Sequence, residues 1–398
     1  MLNYTHEIPT KIMFGKGRVQ ELAGVLEPFG KRVLVTYGGG SIRKIGLYDE
    51  VMKILSEGGF QVSELSGIEP NPRIESVAAG AEICKEKQID VILAVGGGSV
   101  LDASKAIAVG AFYEGPDYWE IVRNAHDMEM GWIPMEQKKA LPLVDIMTVA
   151  ATGSEFDPGG VISNLKTKEK YGGRYTYPAV SILDPTYTFS VPAYHTAAGA
   201  FDIMNHIMED YFSRTEDSDL SDGIAETVLR SVIKNVKIAL AEPDNYSARA
   251  NLLADAAIAC SGIPSYGKQS SCWPCHAVEH VISGFYDITH GVGLEIFTPR
   301  WMRHILAKDP SCAWRFARFA RNVFGLQGED EMELAKAGIG KLEEFIHTLG
   351  LPETFTEVNI GSEHFEEMAD RANENGYLAN AFVALTNEDI VEIFRACL

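Results

Sequence analysis

The segment DVILAVGGGSVLDASKAIAVGAF, residues 90–112, restricts the possible folds more than any other stretch of the chain. A short β-branched apolar run passes through a glycine triplet directly into a helical pattern, which is the strand–turn–helix unit of a parallel sheet with crossover helices. The alternation recurs: KRVLVTY (31–37), FQVSEL (60–65), LVDIMTVA (143–150) and AVSILDP (179–185) read as strands, and 46–58 and 73–87 as amphipathic helices. From about residue 192 the strand runs stop, and windows 218–241, 246–262, 329–349 and 388–398 carry helical spacing. A chain of 398 residues is long enough for two cores. The expected architecture is an α/β domain with a mostly parallel sheet over 1–187 and an all-α domain over 188–398. Asp184-Pro185 and Val191-Pro192 bracket the hinge.

Charge and hydropathy narrow the function. With 55 acidic against 35 basic residues the net charge is −20, so a nucleic-acid partner, which needs clustered cations, is not expected. No apolar run approaches the roughly 18 residues of a spanning helix, and the N-terminal segment lacks a signal-type apolar core. A cytoplasmic protein with no membrane partner is expected, and its six scattered cysteines are expected to stay reduced.

Two glycine-rich turns follow strands: Gly38-Gly39-Gly40-Ser41 after RVLVTY and Gly96-Gly97-Gly98-Ser99 after VILAV. Glycines let a backbone approach a pyrophosphate, and the amides of the following helix N-terminus supply donors. Neither turn matches G-x-G-x-x-G or the P-loop, and either alone is equally a tight turn. Two at one end of neighbouring parallel strands point to a shared ligand crevice.

The helical half holds a different chemistry. In GAFDIMNHIMEDYFS (199–213), Asp202, His206, Glu209 and Ser213 fall along one stripe, and Asp202 and His206 are four residues apart, so a carboxylate and an imidazole converge. The stretch SSCWPCHAVEH (270–280) has three readings: a Cys272–Cys275 redox pair, a C-x-x-C-H haem attachment, and His276-x-x-x-His280 as metal-ligand spacing on a helix. Haem attachment requires export. Pro274 suits a first helical position and Gly284 a stop. With His290 beyond, one carboxylate and three imidazoles make a site suited to Fe(II) or Zn(II) without thiolate.

Over nearly its whole length, from PTKIMFGKG through YGGGSIRKIG, EPNPRIESV, VGGGSVLDASK, ATGSE and ILDP to the histidine helices, the sequence resembles the iron-containing, or type III, alcohol dehydrogenases. The branch is that of butanol dehydrogenases and NADPH-dependent aldehyde reductases. The resemblance implies the fold shared with dehydroquinate synthase: an α/β dinucleotide-binding domain, a helical metal-binding domain, and an active site between them. It further implies a homodimer, a divalent ion, Fe(II) or Zn(II), and a small alcohol or aldehyde substrate of the butanol/butanal type. Carried over residue by residue, the metal ligands fall on Asp202, His206, His276 and His290, with His280 as an additional active-site histidine. The cofactor would meet Gly38, Gly39, Ser41, Asn71, Gly97, Gly98, Ser99, Asp102, Thr148 and Thr152, with Asp102 and Lys170 near the catalytic cleft.

The turn TYGGGS lacks the acidic residue found in many NAD-preferring relatives, and Arg43 and Lys44 stand close by in sequence. NADP(H) is therefore expected to be preferred over NAD(H). Cys272 and Cys275 lie outside the family's metal pattern. A glycerol dehydrogenase-like polyol enzyme on the same fold, and a thiol-disulfide oxidoreductase using those cysteines, are the alternatives.

Overall fold

The computed structural model describes residues 1–134 and 139–398. The chain forms two compact units that are not contiguous in sequence: Glu7–Val191 with Pro243–Ala257, and Met1–His6 with Pro192–Glu242 and Ile258–Leu398.

The first unit is built on six parallel strands: β1 (Lys11–Phe14), β2 (Arg32–Tyr37), β3 (Gln61–Leu65), β4 (Val91–Gly96), β5 (Leu143–Met147) and, after an excursion, β8 (Val180–Leu183). Their order is β1-β8-β5-β4-β2-β3. Strand β4 is buried throughout, as a central strand covered on both faces must be. Its side chains alternate between two cores. Val91, Leu93 and Val95 pack with Val33, Val35, Val51 and Leu55, whereas Ile92 and Ala94 face Leu34, Val77, Leu101 and Ile107. Each such valine or leucine stabilises the fold by about 1.5–3 kcal/mol.

The helices of this unit are α1 (Leu22–Leu26), α2 (Ser41–Lys44), α3 (Leu47–Glu57), α4 (Ile74–Lys87), α5 (Gly98–Gly110) and α6 (Trp119–Glu129). The excursion is an antiparallel pair, β6 (Gly159–Asn164) and β7 (Glu169–Arg174), which the sequence reading omits along with β1. Glycines dilute the alternation of this hairpin: Gly159, Gly160, Gly172 and Gly173 leave few side chains to betray a strand period.

The second unit is helical. It contains α7 (Ala193–Tyr211) and α8 (Asp219–Ala241); α9 (Tyr246–Ala259) follows in sequence, but its Leu253 and Ala257 belong to the core beneath α5. Then come α10 (Pro274–Tyr286), α11 (His290–Lys308), α12 (Ala313–Phe324), α13 (Glu331–His347), α14 (Phe365–Ala372) and α15 (Asn387–Ala396). Helix α10 does not stop at Gly284 as expected. Gly284 is buried inside it, the helix runs to Tyr286, and left-handed Asp287 (φ 52°) ends it. Packing outweighs the roughly 1 kcal/mol that a helical glycine costs against alanine. Among the described residues no helix is long and apolar enough to cross a membrane.

The hairpin is seated by the absence of a side chain. A Cβ on Gly173 would stand 2.6 Å from the carbonyl carbon of Ala125 in α6. Gly173→Ala is expected to cost about 1–3 kcal/mol through overpacking. An unchanged thermal denaturation midpoint would show that the hairpin does not rest on α6 there.

Candidate functional site

Parallel pairing aligns the carboxyl ends of β2, β4 and β5, with Tyr37 opposite Val95 and Val95 opposite Ile146. Both glycine turns therefore open at one edge of the sheet, where α/β ligands bind. Gly40 is left-handed (φ 112°) and leads into Ser41 at the start of α2. Gly97 is the N-cap of α5 and offers no side-chain cap, so the first amides of that helix keep their donors for an anion. The third glycine of the turn is required by the protein itself: a Cβ on Gly98 would lie 2.4 Å from Oγ1 of Thr152. Ser99 follows within α5, Thr148 follows β5 with its amide bonded to the Gly96 carbonyl at 2.9 Å, and left-handed Asn71 (φ 50°) follows β3. The residues expected to meet a cofactor in the first unit, Gly38 included, thus cluster at adjacent strand ends and the segments that leave them.

Asp102 and Lys170 are both buried. Asp102 is buried in α5, where it accepts the Ser154 hydroxyl at 2.6 Å and the Val161 amide at 2.9 Å, tying the helix to β6. Lys170 is buried in β7 opposite Ser163. Three carboxylates of this unit, Asp102, Asp145 and Glu155, are buried, and buried Lys105 donates to the partly buried Asp157 at 3.1 Å. Burial pushes Asp102 up to about 6 and Glu155 up to about 7. Arg43 donates to the Tyr37 hydroxyl at 2.7 Å, lies over the Tyr48 ring and stands 3.8 Å from Glu64.

In the helical unit, α7, α10 and α11 bring the Asp/His residues together. Helix α11 approaches α7 so closely that a Cβ on Gly291 would fall 2.1 Å from the Ala198 carbonyl oxygen, and this glycine lets His290 reach Asp202. Oδ1 of Asp202 lies 3.7 Å from Nε2 of His206, 3.8 Å from Nε2 of His276 and 3.5 Å from Nε2 of His290. Ligands bound at about 2.0–2.2 Å around a tetrahedral ion are separated by roughly 3.3–3.6 Å; the His290 spacing falls in that range and the other two lie slightly beyond it, close to those of a metal cage. Asp202, His276 and His290 offer donor atoms that all lie within 4.8 Å of one another. His206 stands outside that trio, its ring stacked on His276 at 4.5 Å.

The donor chemistry fits an ion too. Asp202 Oδ1 and His276 Nε2 are buried without a hydrogen-bond partner, a costly state for polar atoms unless a cation serves them. Burial drives the Asp202 carboxyl upward, but the three histidines outweigh it and hold it well below the usual range. Burial lowers His206 to about 4 and keeps its imidazole neutral, as a ligand must be. Burial opposes a charge on His276 as well, yet Asp202 and Glu209 raise it to about 9.

Two residues escape the sequence reading as functional groups. Glu209 Oε1 accepts from the His276 amide at 2.8 Å and faces its Nδ1 at 3.1 Å; Glu279 Oε2 contacts Nδ1 of His290 and its other oxygen accepts from Ser283. Carboxylates in this role orient ligand imidazoles and set their tautomer. Glu209 lies on the Asp202–His206 stripe and Glu279 three residues past His276, spacing that marks a shared helix face but not a role. The His280 ring lies 5.5 Å from His290. Cys272 and Cys275 are buried and free, and burial raises both thiols, opposite to a redox-active pair.

Residues 9–185 match the family model for iron-containing alcohol dehydrogenases, and residues 196–398 match the C-terminal model of the same family. The chain is 45% identical over 399 residues to NADH-dependent butanol dehydrogenase A of Clostridium acetobutylicum, covering 99% of each chain. It is 33% identical to the NADPH-dependent aldehyde reductase YqhD of Escherichia coli, covering 94% of each. The crystal structure of an NADH-dependent butanol dehydrogenase A from Thermotoga maritima superposes with a TM-score of 0.91 at 38% identity, covering 100% of this chain and 99% of that one.

Burial holds the Glu155 carboxyl above the usual carboxylate value in the folded chain, so its contribution to stability is complete below about 4.5 and is lost as pH rises through about 7. Glu155→Gln is expected to flatten the fall in denaturation midpoint between those pH values. An unchanged pH slope would remove Glu155 as its source.

Proposed function

Because the chain belongs to the iron-containing alcohol dehydrogenase family, we propose that it interconverts a short- to medium-chain primary alcohol of the butanol type and its aldehyde. It does so with a nicotinamide cofactor and one divalent ion, Fe(II) or Zn(II). The observation that carries this reading is the convergence of Asp202 Oδ1 on three imidazole Nε2 atoms at 3.5–3.8 Å. When bound, the ion supplies a Lewis acid for the alcohol or aldehyde oxygen, and the nicotinamide carries the hydride.

The chain's own residues do the rest. Asp202, His206, His276 and His290 would hold the ion, and Asp202 contributes the single negative charge among them. Glu209 and Glu279 fix the His276 and His290 rings with their Nε2 atoms toward Asp202. His280, beside His290, holds or passes the proton exchanged at the substrate oxygen. The uncapped start of α5 and the turn at Gly97 and Gly98 bind the pyrophosphate, and Gly38, Gly39 and Ser41 the adenosine end.

Preference for NADP(H) over NAD(H) is the finer part of the proposal. It rests on a first turn without an acidic side chain and on Arg43, half-exposed beside it. Glu64, 3.8 Å from Arg43, limits that charge, so a moderate preference is expected. The same reading carries a cytoplasmic homodimer.

With butanal and NADPH, turnover is expected to disappear on chelation and to return with Fe(II) or Zn(II); turnover indifferent to chelation would overturn the metal assignment. Glu209→Gln should weaken metal affinity by about 10–100-fold while leaving the fold intact. The ratio of kcat/KM for NADPH to that for NADH should exceed one and fall in Arg43→Ala. A native preference for NADH would sink the NADP assignment alone.

A further inference from the structure

Trp273 is not among the groups given a role so far, and its backbone is unusual. It is left-handed (φ 45°, ψ 58°), as is Cys272 before it (φ 63°). Two successive non-glycine residues in that region are uncommon, especially when one is bulky. The residue before a proline, here Pro274, is also ordinarily driven to extended backbone. Conformations of this kind persist where the surroundings hold them and gather at functional sites.

The indole is held at its polar end. Nε1 donates to Oδ1 of Asp210 at 3.0 Å, and Asp210 is the penultimate residue of α7. The ring centroid lies 5.0 Å from that of His276 and 5.5 Å from that of His206. Trp273 is half-buried, while both imidazoles are buried and stacked on each other at 4.5 Å.

His206 needs such a support. Its neighbours in the cage, His276 and His290, are each held by a glutamate, but Nδ1 of His206 is buried without a hydrogen-bond partner. A ligand imidazole ordinarily has its second nitrogen fixed by a carboxylate, carbonyl or water. Here ring contacts take that place.

We infer that Trp273 is a positioning residue of the Asp/His centre: anchored on Asp210, its indole fixes the ring planes of His206 and His276. The inference rests on the metal-binding reading above. It also makes Trp273, among five tryptophans, the one whose emission reports on the centre.

The test uses the full-length chain, stripped of metal and titrated with Fe(II) and with Zn(II). Intrinsic fluorescence and competition against a chelator are followed together. Wild-type emission should change on metal addition, and Trp273→Phe, which removes the indole, should abolish that change. Trp273→Ala and Asp210→Ala should each weaken metal affinity by about tenfold, the lower end of effects seen for groups behind a ligand. A folded Trp273→Ala that binds metal within twofold of wild type overturns this inference alone. Should that variant fail to fold, an Asp210→Ala variant with unchanged affinity and unchanged metal-linked emission overturns it equally. A wild-type chain that takes up neither ion overturns the metal centre and this inference with it.

Discussion

A carboxylate taken out of water near the middle of α7 sets the terms for the helical unit. Asp202 is buried and has lost its hydration, so it requires positive charge or hydrogen-bond donors within reach. Three imidazoles from α7, α10 and α11 face it at 3.5–3.8 Å, and placing them demands specific packing: a glycine at 291 so that α11 can touch the α7 backbone, and an α10 that begins with Pro274. Glu209 and Glu279 are buried in turn because each holds an imidazole. The arrangement is one electrostatic demand passed outward through two layers of side chains.

The α/β unit answers a different demand with the same economy. A sheet of parallel strands delivers all its carboxyl ends to one edge, so a ligand site needs little beyond turns that permit close approach. Gly96, Gly97 and Gly98 meet two requirements at once. They leave the backbone bare at the edge, and they avoid collisions with Val100, Val149 and Thr152. Asp102 illustrates how support and site merge here: it holds β6 against the helix whose first turn faces the edge.

Much of this was legible in the sequence, for identifiable reasons. Four of the five strands read from apolar runs, β2, β4, β5 and β8, are buried inside the sheet, where a continuous apolar pattern is compulsory; β3, at the edge opposite β1, is the exception. Strand β1 at the edge and the glycine-rich hairpin carry no such signature. The Asp202–His206 and His276–His280 spacings signal convergence because a helix puts residues four apart on one face. Glu209, Glu279 and Trp273 could not be read that way. Their partners lie on other turns or other helices, and a glutamate on a helix is ordinarily solvated. The family resemblance supplied what spacing could not, by choosing His290 over His280 as the third imidazole. In the structure Nε2 of His290 lies 3.5 Å from Oδ1 of Asp202.

The return of residues 243–257 to the α/β unit bears on how the chain is made. Leu253 and Ala257 belong to the same core as Ile107, Trp119 and Val122. During synthesis from the N-terminus, that core therefore stays open after the last strand of the sheet has emerged, until α7, α8 and most of α9 have followed. Domains generally fold as units, the N-terminal one first, but here the N-terminal unit is completed by a segment that follows α7 and α8 in sequence. A nascent α/β unit exposes apolar surface until that segment arrives.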